Sequence, residues 1–93
     1  MRIGKIVGTV TLSRCHPSFE RGRFRLAVPL NLENLAGRSE PSAEELVVYD
    51  ELGAGSGSLI AFSEGAEAAQ PFRPAIKPVD AYNAAILDHI DLE

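Results

Sequence analysis

Apolar residues in this chain come in short runs broken by glycine and proline, and nothing between the runs has the pattern of a crossover helix. That confines the fold to strands joined by loops, because parallel neighbours in a sheet need a connection of a dozen or more residues, usually helical. Residues 2–12 alternate, with Ile3, Lys5, Val7, Thr9 and Thr11 on one face and Arg2, Gly4, Ile6, Gly8, Val10 and Leu12 on the other. The frequent β-branched residues predict a long first strand there. Cys15-His16-Pro17-Ser18 is turn-like, since Pro17 removes a donor and pushes His16 out of the helical region, and a loop runs on through Gly22. Residues 24–32 predict a second strand with Phe24, Leu26, Val28 and Leu30 on one face, which requires Pro29 to sit at an edge or a bulge. Polar residues 33–44, with Gly37 and Pro41, read as a loop. Residues 46–49 and 59–62 predict a third and a fourth strand. Residues 64–70, rich in alanine, predict a helical turn or two that Pro71 and Pro74 stop from continuing.

The C-terminus supports two readings. Residues 80–90 have the alanine and leucine content of a helix, with Asp80 as a candidate N-cap, and propensity alone favours that form. Ala84, Ile86, Asp88, Ile90 and Leu92 also alternate as a closing strand does. Four or five short strands, one small helix and no βαβ spacing indicate a mainly β fold, a small antiparallel barrel of OB-like size. We expect a single domain over residues 1–93. A chain of this length buries roughly 60–65% of its unfolded surface, so its core is thin. The single Cys15 excludes an intrachain disulfide, which leaves oligomerisation as the accessible source of further stability. The lack of a cysteine framework fits a reducing cytoplasm. The first eight residues lack the apolar stretch of a secretory signal, and no segment approaches the ~20 apolar residues of a membrane span. We therefore expect neither a membrane partner nor export. A net charge of −4 argues against a nucleic-acid partner, whose affinity comes largely from clustered lysine and arginine.

Gly53-Ala54-Gly55-Ser56-Gly57-Ser58, between the third and fourth strands, is the stretch most informative about function. Three alternate glycines permit positive φ and close approach by other backbones. A P-loop needs lysine directly after its last glycine, where this chain has Ser58. A dinucleotide fingerprint needs G-x-G-x-x-G before a helix, whereas Gly53, Gly55 and Gly57 are spaced by two and enter a strand. A nucleophile elbow around Ser56 needs glycine at Ala54 and at Ser58. With the phosphate and nucleophile patterns failing, the loop reads as a tight connection or as a close-approach surface in an oligomer. No catalytic residue, cofactor or metal is expected. Adjacent side chains such as Cys15 and His16 point opposite ways in extended chain, and the few histidines and cysteines lack zinc spacing. Arg21, Arg23 and Arg25 share one face and read as a solvated or subunit-facing basic edge, with Asp88, Asp91 and Glu93 as an acidic end that could pair with such an edge on a neighbour. The rival readings are a monomeric OB-like oligonucleotide-binding module using those arginines and a small thiol enzyme using Cys15 and His16.

Three separated segments carry a resemblance. Met1-Arg2-Ile3-Gly4-Lys5-Ile6-Val7-Gly8-Thr9-Val10, the Gly53-Ala54-Gly55 element entering a strand, and Pro78-Val79-Asp80-Ala81 followed by Ile86-Leu87-Asp88 are similar to the pentameric vertex proteins of bacterial microcompartment shells, the carboxysome and ethanolamine-utilisation vertex family. The resemblance spans nearly the whole chain. It implies a five-stranded OB-like β-barrel with one short helix, and a homopentamer around a narrow axial pore in a shell within the bacterial cytoplasm. It also implies hexameric shell proteins as partners and a strand, not a helix, around residues 84–91. Gly53, Ala54, Gly55, Ser56, Gly57 and Ser58 then lie near the fivefold axis. Ser58-Leu59 replaces the acidic residue and tryptophan common in carboxysome members, and residues 35–44 are longer than in their compact form. Both departures point towards a metabolic microcompartment.

Overall fold

The structure is a computed structural model that describes residues 1–11, 23–73 and 80–92. Among these, strands β1 (Arg2–Val10), β2 (Arg23–Pro29), β3 (Leu46–Asp50), β4 (Leu59–Glu64) and β5 (Ala81–Leu87) close into a barrel in the order β1-β2-β3-β5-β4. Closure removes the free strand edges that would otherwise invite pairing with other chains. The expected five-stranded barrel is present, with one difference in detail. One seam, β3 to β5 through Tyr49 and Tyr82, is parallel, so the barrel is not wholly antiparallel. The C-terminal segment is a strand, as the resemblance implied and against its helix propensity: β5 pairs with both β3 and β4 and so closes the barrel. Long-range pairing overrides local propensity there.

The interior holds Ile6, Ala27, Val48, Ala54, Ile60, Phe62 and Ala81. Gly4 is required by this core: a Cβ on it would stand 2.9 Å from the Phe62 ring and 3.3 Å from the Val28 carbonyl oxygen. β1 bulges at Val7, which has no partner while Ile6 faces Ala27 and Gly8 faces Leu26. A second irregularity leaves Ala84 unpaired, since Ala61 faces Ala85 while Phe62 faces Asn83. Each bulge bends its strand and tightens the coiling that a small barrel needs.

β2 is shorter than expected, and Pro29 is its last residue, opposite Gly4, rather than a bulge within it. The apolar face of β2 also proves to be the outer one. Val48 and Ala27 are core residues, so their neighbours Phe24, Leu26, Val47 and Tyr49 point outward. A 3₁₀ helix, Gly65–Phe72, covers part of that outer wall, and Ala68 is fully buried beside Tyr49, Phe24, Phe72 and Tyr82. The Tyr49 ring meets Phe24 and Phe72 edge-on at 5.3 and 5.4 Å between centroids. Pro71 lies inside this helix instead of ending it, and the last turn closes through Arg73 N–H to the Gln70 carbonyl at 3.2 Å. A run of single 3₁₀ turns tolerates one missing donor better than an α-helical ladder does.

The stretch expected to be loop contains a single-turn helix α1, Leu32–Leu35. Asn31 caps it reciprocally: its Oδ1 accepts from Asn34 N–H at 2.8 Å while Asn34 Oδ1 accepts from Asn31 N–H at 3.0 Å. Asparagine in place of the usual Glu or Gln at the third helical position conceals this capping box in the sequence.

Candidate functional site: a neutral loop on a buried carboxylate

The loop between β3 and β4 leaves the barrel at Asp50, whose side chain is completely inaccessible. Its Oδ1 accepts from Leu52 N–H at 3.0 Å and from Asn83 Nδ2 at 2.9 Å. Its Oδ2 accepts from Ala54 N–H at 2.8 Å and from Arg25 Nε at 3.3 Å. Burial alone pushes the Asp50 carboxyl up. The Asn83 amide, the Leu52 and Ala54 N–H groups and the Arg25 guanidinium all favour the anion, and together they hold it below its ordinary value of 3.8. Arg25 is itself oriented by Thr9, whose Oγ1 accepts from Nη1 at 2.7 Å. Asn83 contributes its amide from β5 and is fully buried, with Oδ1 unpartnered.

Beyond this anchor the chain turns twice through positive φ, at Gly53 (82°) and Gly57 (86°), conformations that cost an L-residue about 1–2 kcal/mol. Between them Ala54 is a core residue with no exposure. It plugs the end of the barrel, so its side chain does not face outward. Gly55, Ser56 and Gly57 are exposed and Ser58 is partly so. The far side of the loop is pinned to β1, with Gly57 N–H bonded to the Ile6 carbonyl at 2.8 Å and Ile6 N–H bonded to the Ser58 carbonyl at 2.9 Å. Ser58 N–H donates to the Gly55 carbonyl at 3.0 Å, and Ser58 Oγ accepts from Gly55 N–H at 3.2 Å. The loop is thus a fixed shape that presents glycine and serine, without charge, to the outside.

The structure keeps Gly53, Ala54, Gly55, Ser56, Gly57 and Ser58 in one continuous element and turns Ala54 inward. Arg25 does not belong to a solvated or subunit-facing basic edge, because it points to Asp50 with a side chain only 14% exposed. Arg23 remains exposed, while Arg21, Cys15 and His16 lie outside the described residues. At the other end of the chain His89 pairs with Asp91 at 2.8 Å, both exposed. No cluster of three or more potential metal ligands occurs among the described residues. Sequence reasoning overlooked Asp50 and Asn83. Asp50 had a readable signal, an Asx-turn residue two positions before Leu52 at a strand exit. Asn83 had none, since its partner is 33 residues away.

Comparisons with known proteins span nearly the full chain. The carboxysome shell vertex protein CcmL of Gloeobacter violaceus is 36% identical over 93 residues, covering all of this chain and 88% of that protein. The solved structure of the same CcmL superposes with a TM-score of 0.85 at 30% identity, over 100% of this chain and 91% of the other. The pentameric microcompartment shell protein GrpN from Rhodospirillum rubrum superposes with a TM-score of 0.83 at 28% identity, with both chains fully covered. Carboxysome and other microcompartment proteins therefore both occur among the relatives. The model of the family described as "Ethanolamine utilisation protein EutN/carboxysome" matches residues 1–88, and the chain belongs to that family.

Proposed function

We propose that five copies of this chain form a closed ring capping a fivefold vertex of a polyhedral microcompartment shell in the bacterial cytoplasm. Residues 53–58 of each copy gather around a narrow axial opening, and hexameric shell proteins form the flat neighbours. A heterologous interface whose rotation closes gives a ring rather than a filament, and a shell tiled by hexagons needs such rings wherever it curves to closure. The role is structural and involves no bond-making step. It agrees with the resemblance in the sequence and with the pentameric relative that matches over its whole length.

Gly55 carries the proposal. Gly53 and Gly57 are explained by their positive φ and Gly4 by the Phe62 ring, but Gly55 has neither reason. Nothing lies within 4 Å of a Cβ built on it. The subunit does not require glycine there, whereas convergence of several copies on one axis does. The rival oligonucleotide-binding module loses a residue it needs, because Arg25 is committed to Asp50.

The test compares wild type with Gly55→Val by native mass spectrometry and thermal unfolding. Wild type is expected at five copies. The variant is expected to fold as the single subunit does and to lose the ring, or to keep it with a blocked opening. A wild-type chain that stays single at high concentration, or a variant ring with unaltered assembly and permeability, refutes the reading.

A further inference from the structure

Among the described residues, β3 meets β5 through a single registered pair, Tyr49 with Tyr82, whereas every other seam of the barrel is a ladder of several pairs. Backbone pairing therefore contributes least at this seam, and side chains fasten it from both faces. Alternation along the two strands points Tyr49 and Tyr82 outward and their successors Asp50 and Asn83 inward. Inside, Asn83 Nδ2 donates to Asp50 Oδ1 at 2.9 Å. Outside, the two tyrosine rings lie nearly parallel across the seam, with centroids 6.5 Å apart and 18° between their planes. Phe72 stands edge-on to both, 5.4 Å from Tyr49 and 5.3 Å from Tyr82.

Phe72 is the last residue of the 3₁₀ helix, and that helix is weakly built. Runs of 3₁₀ longer than three or four residues are uncommon because their hydrogen-bond geometry is poor. This one starts at Gly65 with a φ of 64°, has no side-chain cap at its N-terminus, and contains Pro71, which withholds a donor. Ala68 is its buried residue, and Gly65 N–H ties its start to the Asp80 carbonyl, just before β5, at 2.8 Å.

We infer that the 3₁₀ helix is a latch on the β3–β5 seam and that Phe72 is the positioning residue through which it fixes the glycine loop. When the helix lifts, the tyrosine rings lose the edge that bridges them, and one registered pair and the Asp50–Asn83 bond are left to join the strands. Separation of the strands draws Asn83 away from the carboxylate that holds the Leu52 and Ala54 N–H groups. The Tyr82 hydroxyl, which donates to Glu51 Oε1 at 3.2 Å, pulls on the same stretch of chain. The far side of the loop, pinned to Ile6 by Gly57 and Ser58, lies outside this chain of contacts. The latch belongs to the single subunit and does not depend on the ring.

Amide hydrogen exchange, read residue by residue on the intact protein, tests the latch, because a local opening exposes one unit and leaves the others protected. Wild type and variants are compared under conditions where native mass spectrometry shows the same number of copies. Phe72→Ala removes two edge-on ring pairs and is expected to speed exchange at the Ala54 amide by about tenfold or more. The Gly57 amide and the β1–β2 amides should keep their protection. Phe72→Tyr, which retains the ring, should exchange as wild type does. Should Phe72→Ala not fold, Phe72→Leu, which keeps an apolar side chain without a ring edge, takes its place with the same pattern expected. Exchange at Ala54 that stays at the wild-type rate, or that rises equally at every protected amide, overturns the latch. So does a Phe72→Tyr variant that exchanges as Phe72→Ala does.

Discussion

Removing the carboxylate of Asp50 should unfasten the loop and destabilise the barrel together. In Asp50→Ala, four donors lose their acceptor: the N–H groups of Leu52 and Ala54, the Asn83 amide and the Arg25 guanidinium. Ala54 and Asn83 are fully buried and the Arg25 side chain is largely so, whereas Leu52 is half-exposed and its N–H can turn to water. Breaking a buried pair by removing one partner costs about 3–5 kcal/mol, and buried unsatisfied donors cost about 1–3 kcal/mol each, an overlapping loss. A loss of about 3–5 kcal/mol is therefore expected, a large fraction of the roughly 5–14 kcal/mol typical for a domain of this size. The assay is denaturant unfolding of both proteins at one subunit concentration, since assembly makes apparent stability concentration-dependent. Hydrogen exchange at the Ala54 amide is the local readout. Its protection should collapse in the variant even under conditions where β1 and β2 amides stay protected. A loss below about 1 kcal/mol with unchanged protection at Ala54 refutes the anchoring role, because leaving the buried Ala54 N–H and Asn83 amide without their acceptor costs more than that.

The Asp50 carboxyl is held below its ordinary value of 3.8, so its contribution to stability is fully present above that pH and is lost as the pH falls through the lower folded value. Acid titration of unfolding should show this limb, and Asp50→Asn should flatten it. Gly4→Ala should cost about 1–3 kcal/mol by overpacking against Phe62, as measured by denaturant unfolding, whereas Gly8→Ala should be neutral or stabilising by about 0.5–1 kcal/mol, since its added methyl meets Leu26 at an ordinary 3.7 Å. Asn31→Ala removes the cap of α1 and should lower stability by about 0.5–2 kcal/mol while leaving assembly unchanged by native mass spectrometry, because the helix buries no residue.

Where a strand's pattern depends on its own residues, the fold was legible. The positions of β3 and β4 follow from local periodicity and the structure keeps them, whereas the β1 alternation holds only as far as Ile6: the bulge at Val7 sets Gly8 and Val10, expected on the face of Gly4 and Ile6, beside the outward Leu26 and Phe24. The inward or outward sense of a face was not legible for β2, because Phe24 and Leu26 are apolar outside the barrel: Phe24 packs beneath the 3₁₀ helix and Leu26 is partly exposed opposite Val47. Arg25 was misread for the converse reason. A charged residue in an alternating strand normally marks the solvent side, and only the distant Asp50 makes the inward position tolerable. The glycine loop was visible as an element, but not what holds it, since hydrogen bonds to Asp50 come from β2, from β5 and from the loop's own backbone.

The buried charge in so small a barrel follows from what the loop must be. A surface element usually gains its shape by packing its own side chains, but residues 53–58 are glycine, alanine and serine, and the one apolar side chain among them, Ala54, is no larger than a methyl group. A loop of such small, uncharged residues gives up that means of fixation. Its remaining handles are backbone N–H groups, and a carboxylate accepts those more strongly than a neutral oxygen does. Once placed inside, the carboxylate needs a cation and a further donor, which explains why Arg25 turns inward and why an asparagine stands at position 83 of an otherwise apolar strand. The inward arginine thus follows from a loop that has no bulky side chain of its own to pack and is held through its backbone instead.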